Sequence, residues 1–228
     1  MTLKIEVAEL QKHRLFIGSP QYGGVASSIF TRSFGDVMQR GGMYGLPIDT
    51  YLLANESLIT RARNHICDIF LRSEAEHLMF WDADVGCQDP MDVFGLLILQ
   101  VQNPQYGVIG GRYRRKAIGA GWAACGLKEF DLDARNPVAI PELCSGFMMV
   151  HRGVFERVAN YLPKYRPDTS PGDGQREITQ FFQAEIDQTS GRYLSEDFWF
   201  SHRCNEIGIQ TWLCPWMKLR HAGTFVFE

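Results

Sequence analysis

The residues best suited to chemistry in this sequence are two aspartates that end an apolar run, His77-Leu-Met-Phe-Trp-Asp82-Ala83-Asp84. Carboxylates one small residue apart repel each other unless a cation joins them, and neither has a lysine or arginine beside it in the sequence. Oxygen donors of this kind favour Mg²⁺ or Mn²⁺, ions that commonly hold phosphate oxygens as well. Aspartate also favours solvated turns. What argues for more than a turn is the apolar strand that would carry the pair to the edge of a sheet.

Four other segments offer partners. Ser195-Glu196-Asp197 opens a helical pattern that continues with Phe198, Trp199 and Phe200. The partial positive charge of a helix N-terminus favours acids there, so capping accounts for their type. Their place after a polar stretch also suits a general base facing an acceptor hydroxyl. His221, in Lys218-Leu-Arg-His-Ala-Gly, offers an imidazole that can complete an oxygen–nitrogen site with Asp84. Thr60-Arg61-Ala62-Arg63-Asn64 suits a diphosphate, acidic side chains, or a solvated basic face. Ser19-Pro20-Gln21-Tyr22-Gly23-Gly24 suits a nucleobase held by backbone groups and the Tyr22 ring. It lacks the G-x-G-x-x-G and G-x-x-x-x-G-K-[ST] patterns, which counts against dinucleotide-binding and P-loop readings.

The elements that must position these residues follow from apolar periodicity. Strands are predicted at Arg14–Gly18, Ile48–Ala54, His77–Trp81, Gly107–Gly111, Gly146–His151 and Gln210–Cys214. Helices are predicted at Val25–Arg40, stopped by Gly41 and Gly42, at Glu56–Arg72, capped by Ser57, and from Pro90 to Gln102. A short helix begins near Val154, and another runs from Ser195 to Gly208. Strands alternating with helices imply an α/β fold with a mostly parallel central sheet, flanked by helices, whose ligands sit beyond the carboxyl ends of the strands. Pro163–Gln175, rich in Pro, Gly, Asp and Ser, is expected to be a mobile lid.

Bulk composition narrows the classes. A net charge of −3 gives no sign of a nucleic-acid partner. The six cysteines lack the spacing of a zinc or redox motif and read as reduced core thiols, which fits a cytoplasmic protein. The first residues lack the apolar stretch of a signal peptide, and the most apolar run, Phe94–Val101, is too short for stable membrane insertion.

The segments FIGSPQYGG, SLITRARN, MFWDADV, VIGGRYRRK, CSGFMMVHRGVFERV, YLSEDFWFSHRCNEIG and LRHAG cover nearly the whole chain. In this order and at these intervals they resemble GT-A glycosyltransferases, particularly compact GT2-like and viral or phage-type members. The resemblance implies a single GT-A domain, residues 1–228. Residues 1–111 would form a nucleotide-binding half and residues 112–228 an acceptor- and sugar-binding half. It also implies transfer of a sugar from a nucleotide-sugar donor, of the UDP class, to an acceptor hydroxyl, with Mn²⁺ or Mg²⁺ as cofactor. Asp84 and His221 then correspond to metal ligands, with Asp82 near the ribose or a metal-bound water. Pro20 and Tyr22 fall where the base is held, Arg61 and Asn64 near the nucleotide and its diphosphate, and Ser145 and Gly146 beside the donor sugar. Glu196 and Asp197 match the acidic pair whose second member is the base in inverting members; under retention it would stabilise an oxocarbenium-like centre.

There are departures from the family. Asn55 and Glu56 stand where many members carry an aspartate that reads uracil, and Arg112–Lys116 is unusually basic, which suits a charged acceptor or the diphosphate. A nucleotidyltransferase shares the carboxylates and the cation, but expects a cationic glycine-rich loop after the first strand, which SPQYGG does not supply. A non-catalytic carbohydrate-binding protein would not need Asp84, Asp197 and His221 together.

Overall fold

A computed structural model describes residues 5–117, 121–125, 134–167, 176–223 and 225–227. The apolar runs become strands whose side chains leave alternately to two cores. Leu15 and Ile17 of β1 (Leu15–Gln21) enter one core and Phe16 the other. β2 is Ile48–Ala54. In β3 (His77–Trp81), Met79 and Trp81 face the first core while Leu78 and Phe80 face the second. Successive side chains point to opposite faces of a strand, so a continuous apolar run marks a sheet covered on both sides.

After β4 (Val85–Cys87) and β5 (Val108–Gly111) come β6 (Val138–Ile140), β7 (Phe147–His151), β8 (Thr211–Cys214) and β9 (Leu219–Ala222). The main sheet has seven strands in the order β2-β1-β3-β7-β5-β8-β6. β1 is parallel to β2 and β3, and β5 is parallel to β8. β7 runs antiparallel between β3 and β5, and β6 is antiparallel to β8. Five strands therefore share one direction, as the alternating pattern implies.

A short helix, α1 (Val7–Leu10), precedes β1. α2 (Ser28–Tyr44) and α4 (Met91–Gln102) fill the first core with Phe30, Val37, Phe94 and Leu97. The second core takes Ile66 and Phe70 from α3 (Ile59–Arg72), Phe155 from α5 (Arg152–Val158), and Phe200 and Cys204 from α6 (Glu196–Glu206).

Several boundaries differ from the expected ones. α2 does not stop at Gly41 and Gly42; it continues to Tyr44 and ends on Gly45 in the left-handed region, φ 64°. Gly41 serves close approach instead, since a β-carbon there would lie 2.3 Å from Ile48 Cδ1. α3 starts at Ile59, and Ser57 does not cap it; the Glu56 carboxylate accepts from the Leu58 N–H at 2.9 Å. Ser195 occupies the cap position of α6, but its hydroxyl donates to Asp197 rather than serving the backbone. The polar stretch before α6 is a hairpin, Glu185–Ile186 against Tyr193–Leu194, with Asp187 accepting from two turn N–H groups. Of the expected lid, residues 168–175 lie outside the described residues, and Lys164–Tyr165 pairs with Ile178–Thr179.

Candidate active site

Four elements end at one crevice. Asp82 directly follows β3, and its N–H donates to the Gly146 carbonyl at 2.9 Å, which fixes the turn against the start of β7. β4 then pairs antiparallel with β9, His221 opposite Val85, and the Ala222 N–H donates to the Asp84 carbonyl at 2.7 Å. That register brings a residue of the C-terminal segment beside Asp84. The loop after β1 is tied in by the Ser27 N–H, which donates to the Ala83 carbonyl at 2.8 Å.

The centre of the crevice is Arg63, only 2% exposed. Its Nη2 donates to both Asp82 oxygens, at 2.9 and 3.2 Å, and its Nε donates to Glu196 Oε1 at 3.0 Å. Burial opposes the guanidinium charge, but Asp82, Glu196 and Asp197 outweigh it and raise the pKa further. Burial pushes the Asp82 carboxyl up, helped by Asp84 and Glu196 and opposed by Arg63. Asp197 is also raised, by burial and then by Glu196, against hydrogen bonds from the Ser195 hydroxyl and the Phe198 N–H and the charge of Arg63.

Asp84 is different. Burial alone would raise its carboxyl, but His221 and the Lys116 ammonium, in contact with Oδ2, hold it below the usual range. The expectation that no cation stands beside the aspartates is therefore corrected: Arg63 and Lys116 arrive from α3 and from the segment after β5. His221 Nδ1 lies 2.8 Å from the Arg114 carbonyl, which can only accept, so Nδ1 carries a hydrogen. His221 Nε2 faces Asp84 Oδ1 at 3.4 Å, and that buried oxygen has no partner at closer hydrogen-bonding range. Arg63 Nη1 and Ser145 Oγ are likewise buried without one. Such groups are rare in folded proteins, and a water, an ion or a polar ligand would complete them.

Gly146 lies under this cluster. A β-carbon there would sit 2.4 Å from Tyr113 Oη and 2.9 Å from Asp82 Oδ2. The Gly146 N–H donates to Tyr113 Oη at 3.0 Å, and the Ser145 N–H donates to Asp197 Oδ2 at 3.4 Å. Within the basic segment, Tyr113 turns inward while Arg112 and Arg114 stack on the Trp122 ring, 3.8 and 4.0 Å from its centroid.

Asp82, Asp84, Glu196, Asp197, Ser145, Gly146 and His221 thus gather at one place. Asp82 turns to Arg63, however, and does not join Asp84 and His221 in a three-residue ligand cluster; among the described residues the one such cluster is His13, Glu76 and His77. Pro20 lies near the end of β1, just before Gln21, and Tyr22 is exposed in the following turn. Arg61 makes a two-point pair with Glu56, at 2.6 and 2.8 Å. Asn64 is buried and spends both ends of its amide on the Phe182 backbone, at 3.0 and 2.7 Å. Arg63, which the sequence marks among residues suited to a diphosphate or to acidic side chains, pairs with Asp82 and Glu196; the inward turn of Tyr113 was missed. The burial of Arg63 had a readable signal, since it shares helical spacing with Cys67 and Phe70 on the apolar face of α3. A cavity of about 590 Å³ lies elsewhere, beside Pro141, His202 and Gln210.

No known family matches the sequence, and no curated protein matches it. Among solved structures the chain is similar to mannosyl-3-phosphoglycerate synthase from Rubrobacter xylanophilus, at 11% identity and TM-score 0.43, over 65% of this chain and 58% of that one. It is similar to residues 1–349 of S. aureus TarS, solved in complex with UDP-GlcNAc, at 14% identity and TM-score 0.38, over 72% and 51%. It is also similar to a CMP:2-keto-3-deoxy-manno-octonic acid synthetase complexed with CTP, at 11% identity and TM-score 0.43, over 88% of each chain. The chain spans little more than half the length of the first two. At these scores the likeness is one of outline, and the functional reading rests on the crevice itself. No helix among the described residues is long and apolar enough to cross a membrane.

Proposed function

We propose that the chain is a metal-dependent glycosyltransferase that moves a sugar from a nucleoside diphosphate, of the UDP class, to an acceptor hydroxyl. One observation carries this reading. Four carboxylates, Asp82, Asp84, Glu196 and Asp197, gather around Arg63 and Lys116, and Asp84 keeps an oxygen without a hydrogen bond, 3.4 Å from His221 Nε2. A site so rich in carboxylates suits a divalent cation and the diphosphate that accompanies it.

Asp84 and His221 would hold the cation, with Asp82 behind them. The His221 Nδ1–H on a backbone carbonyl is the kind of bond that commonly fixes the orientation of a metal-ligating imidazole. The bound ion would supply Lewis-acid neutralisation of the leaving diphosphate. Arg63 holds Asp82 and Glu196 in fixed positions, so the remaining groups meet the donor without rearrangement. The Ser145 hydroxyl has an unspent hydrogen bond for a sugar oxygen, and Gly146 lets Tyr113 and Asp82 pack closely beside it. Asp197, with its raised pKa, would take the acceptor proton at its carboxylate oxygen, since a base works best when its pKa approaches the working pH. Tyr22 offers an exposed ring on which a base can stack.

The test is a panel of nucleotide sugars with Mn²⁺, read by release of nucleoside diphosphate, beside a panel of nucleoside triphosphates with sugar 1-phosphates, read by release of pyrophosphate. Diphosphate release from the first panel supports the proposal. Pyrophosphate release alone would replace it with nucleotidyl transfer, and silence in both panels with retained sugar binding would leave a non-catalytic protein.

A further inference from the structure

We propose that His13, Glu76 and His77 form a second cation site, for a first-row transition metal of the Zn²⁺ class, at the end of the sheet opposite the carboxylate crevice. One ligand atom from each of the three residues lies within 4.8 Å of the others. Backbone pairing brings them together. Leu15 and His77 are partners in the β1–β3 register, and the Glu76 N–H donates to the Arg14 carbonyl at 3.2 Å. His77 begins β3 and Asp82 follows its last residue, so the two sites are about 16 Å apart along the strand, at about 3.3 Å per residue.

The donor set and the surrounding bonds both suit such an ion. Two imidazoles and a carboxylate select Zn²⁺-like metals rather than Mg²⁺. Tetrahedral ligands about 2.0–2.1 Å from zinc stand about 3.3 Å from one another, and His13 Nδ1 lies 3.0 Å from Glu76 Oε2. The Glu76 side chain is 46% exposed and free to turn inward for the remaining adjustment. His77 is oriented by Gln100. The Gln100 Nε2 donates to the carbonyls of Tyr106, Gly107 and Met149, at 3.0 to 3.2 Å, so its Oε1 must be the acceptor facing His77 Nδ1 at 2.8 Å. His77 therefore keeps its hydrogen on Nδ1 and offers the Nε2 lone pair, the arrangement that metal-ligating histidines commonly show.

An ion pair between His13 and Glu76 alone does not account for the group. It leaves His13 Nε2 buried without a hydrogen bond, with Glu9 Oε1 4.0 Å away. If Nδ1 ligates the ion instead, Nε2 carries the hydrogen and Glu9 becomes its outer partner. His151 packs edge-on against His77, but its Nδ1 accepts from the Gly153 N–H at 3.1 Å, so its remaining nitrogen bears the hydrogen and it lines the site without ligating. A cavity of about 220 Å³ beside these rings has room for a water as fourth ligand. An ion so placed would staple the aligned starts of β1 and β3.

The test is titration of the metal-free full chain with Co²⁺ and then Zn²⁺, in an Asp84→Asn background so that the carboxylate crevice does not contribute. One equivalent of Co²⁺ is expected to give the intense visible bands of four- or five-coordinate nitrogen–oxygen ligation. Zn²⁺ should displace it, a large excess of Mg²⁺ should not, and Zn²⁺ should raise Tm by several degrees. His13→Ala and Glu76→Gln, both at partly exposed positions, should each weaken binding at least tenfold and abolish the rise in Tm while leaving the zinc-free Tm unchanged. Absence of the bands at one equivalent, displacement by Mg²⁺, or unchanged affinity in both variants would overturn the proposal.

Discussion

Removing the charge of Arg63 should destabilise the protein in a pH-dependent way. In Arg63→Met the aliphatic stem is largely kept, but Asp82 and Glu196, with side chains 26% and 12% exposed, lose their shared cation. Breaking a buried ion pair by deleting one partner costs about 3–5 kcal/mol. Partial exposure of Asp82 argues for the lower end, about 3 kcal/mol, which for a chain of this length lowers Tm by roughly 6–12 °C. The pH dependence follows from Asp82, whose folded pKa is already raised by burial against the pull of Arg63. Without Arg63 it rises further. A carboxyl raised in the folded state favours folding when protonated, and that contribution is lost as pH rises through the folded pKa. The deficit of the variant should therefore be largest near pH 8 and shrink as pH falls towards 5. Thermal melts of wild type, Arg63→Met and Arg63→Lys at both values measure it, with the lysine variant intermediate because it lacks the two-sided fork. Equal melting temperatures for wild type and Arg63→Met at both pH values would refute the reasoning, and Asp82 and Glu196 would then be screened by water.

Asp197→Asn should lower the transfer rate on the order of a hundredfold or more while leaving nucleotide affinity unchanged, measured by initial rates and by calorimetry; near wild-type transfer would return Asp197 to a helix-capping role. Because the Asp197 carboxyl is raised, by burial first and then by Glu196, wild-type activity should fall with decreasing pH above the ordinary carboxylate range, and a rate profile flat down to that range would exclude Asp197 as the base. Gly146→Ala should cost about 1–3 kcal/mol of stability through overpacking against Tyr113 and Asp82, together with weaker donor binding. An unchanged melting curve and donor affinity would mean that the crevice floor has slack.

Much of this arrangement was legible because it follows from local rules. The alternation of apolar strands and helices marked the sheet, and the step from Trp81 to Asp82 marked the end of β3 at the crevice. The antiparallel course of β7 was not legible, since an apolar run such as Phe147–His151 has the same appearance in either direction. Arg63 reads in the sequence only as one of a basic pair with Arg61, although its spacing with Cys67 and Phe70 puts a cation on a buried face, where only anionic partners make it tolerable. The absence of a neighbouring lysine or arginine in the sequence was misleading for a related reason. Neutralising charge reaches Asp82 and Asp84 from residues distant in the chain, Arg63 and Lys116. Gly41 and Gly42 looked like helix stops because glycine is weak in helices, but contact with Ile48 overrode that tendency.

The central claim is that Asp84 and His221 bind nucleoside diphosphate through a divalent cation. Calorimetric titration of UDP into the wild-type protein and Asp84→Ala, each with and without Mn²⁺, tests it most directly. The account predicts Mn²⁺-dependent binding in the wild type and loss of most of that dependence in Asp84→Ala, with the fold intact because Asp84 stands at the crevice rim. Unchanged Mn²⁺-dependent UDP affinity in Asp84→Ala would contradict it.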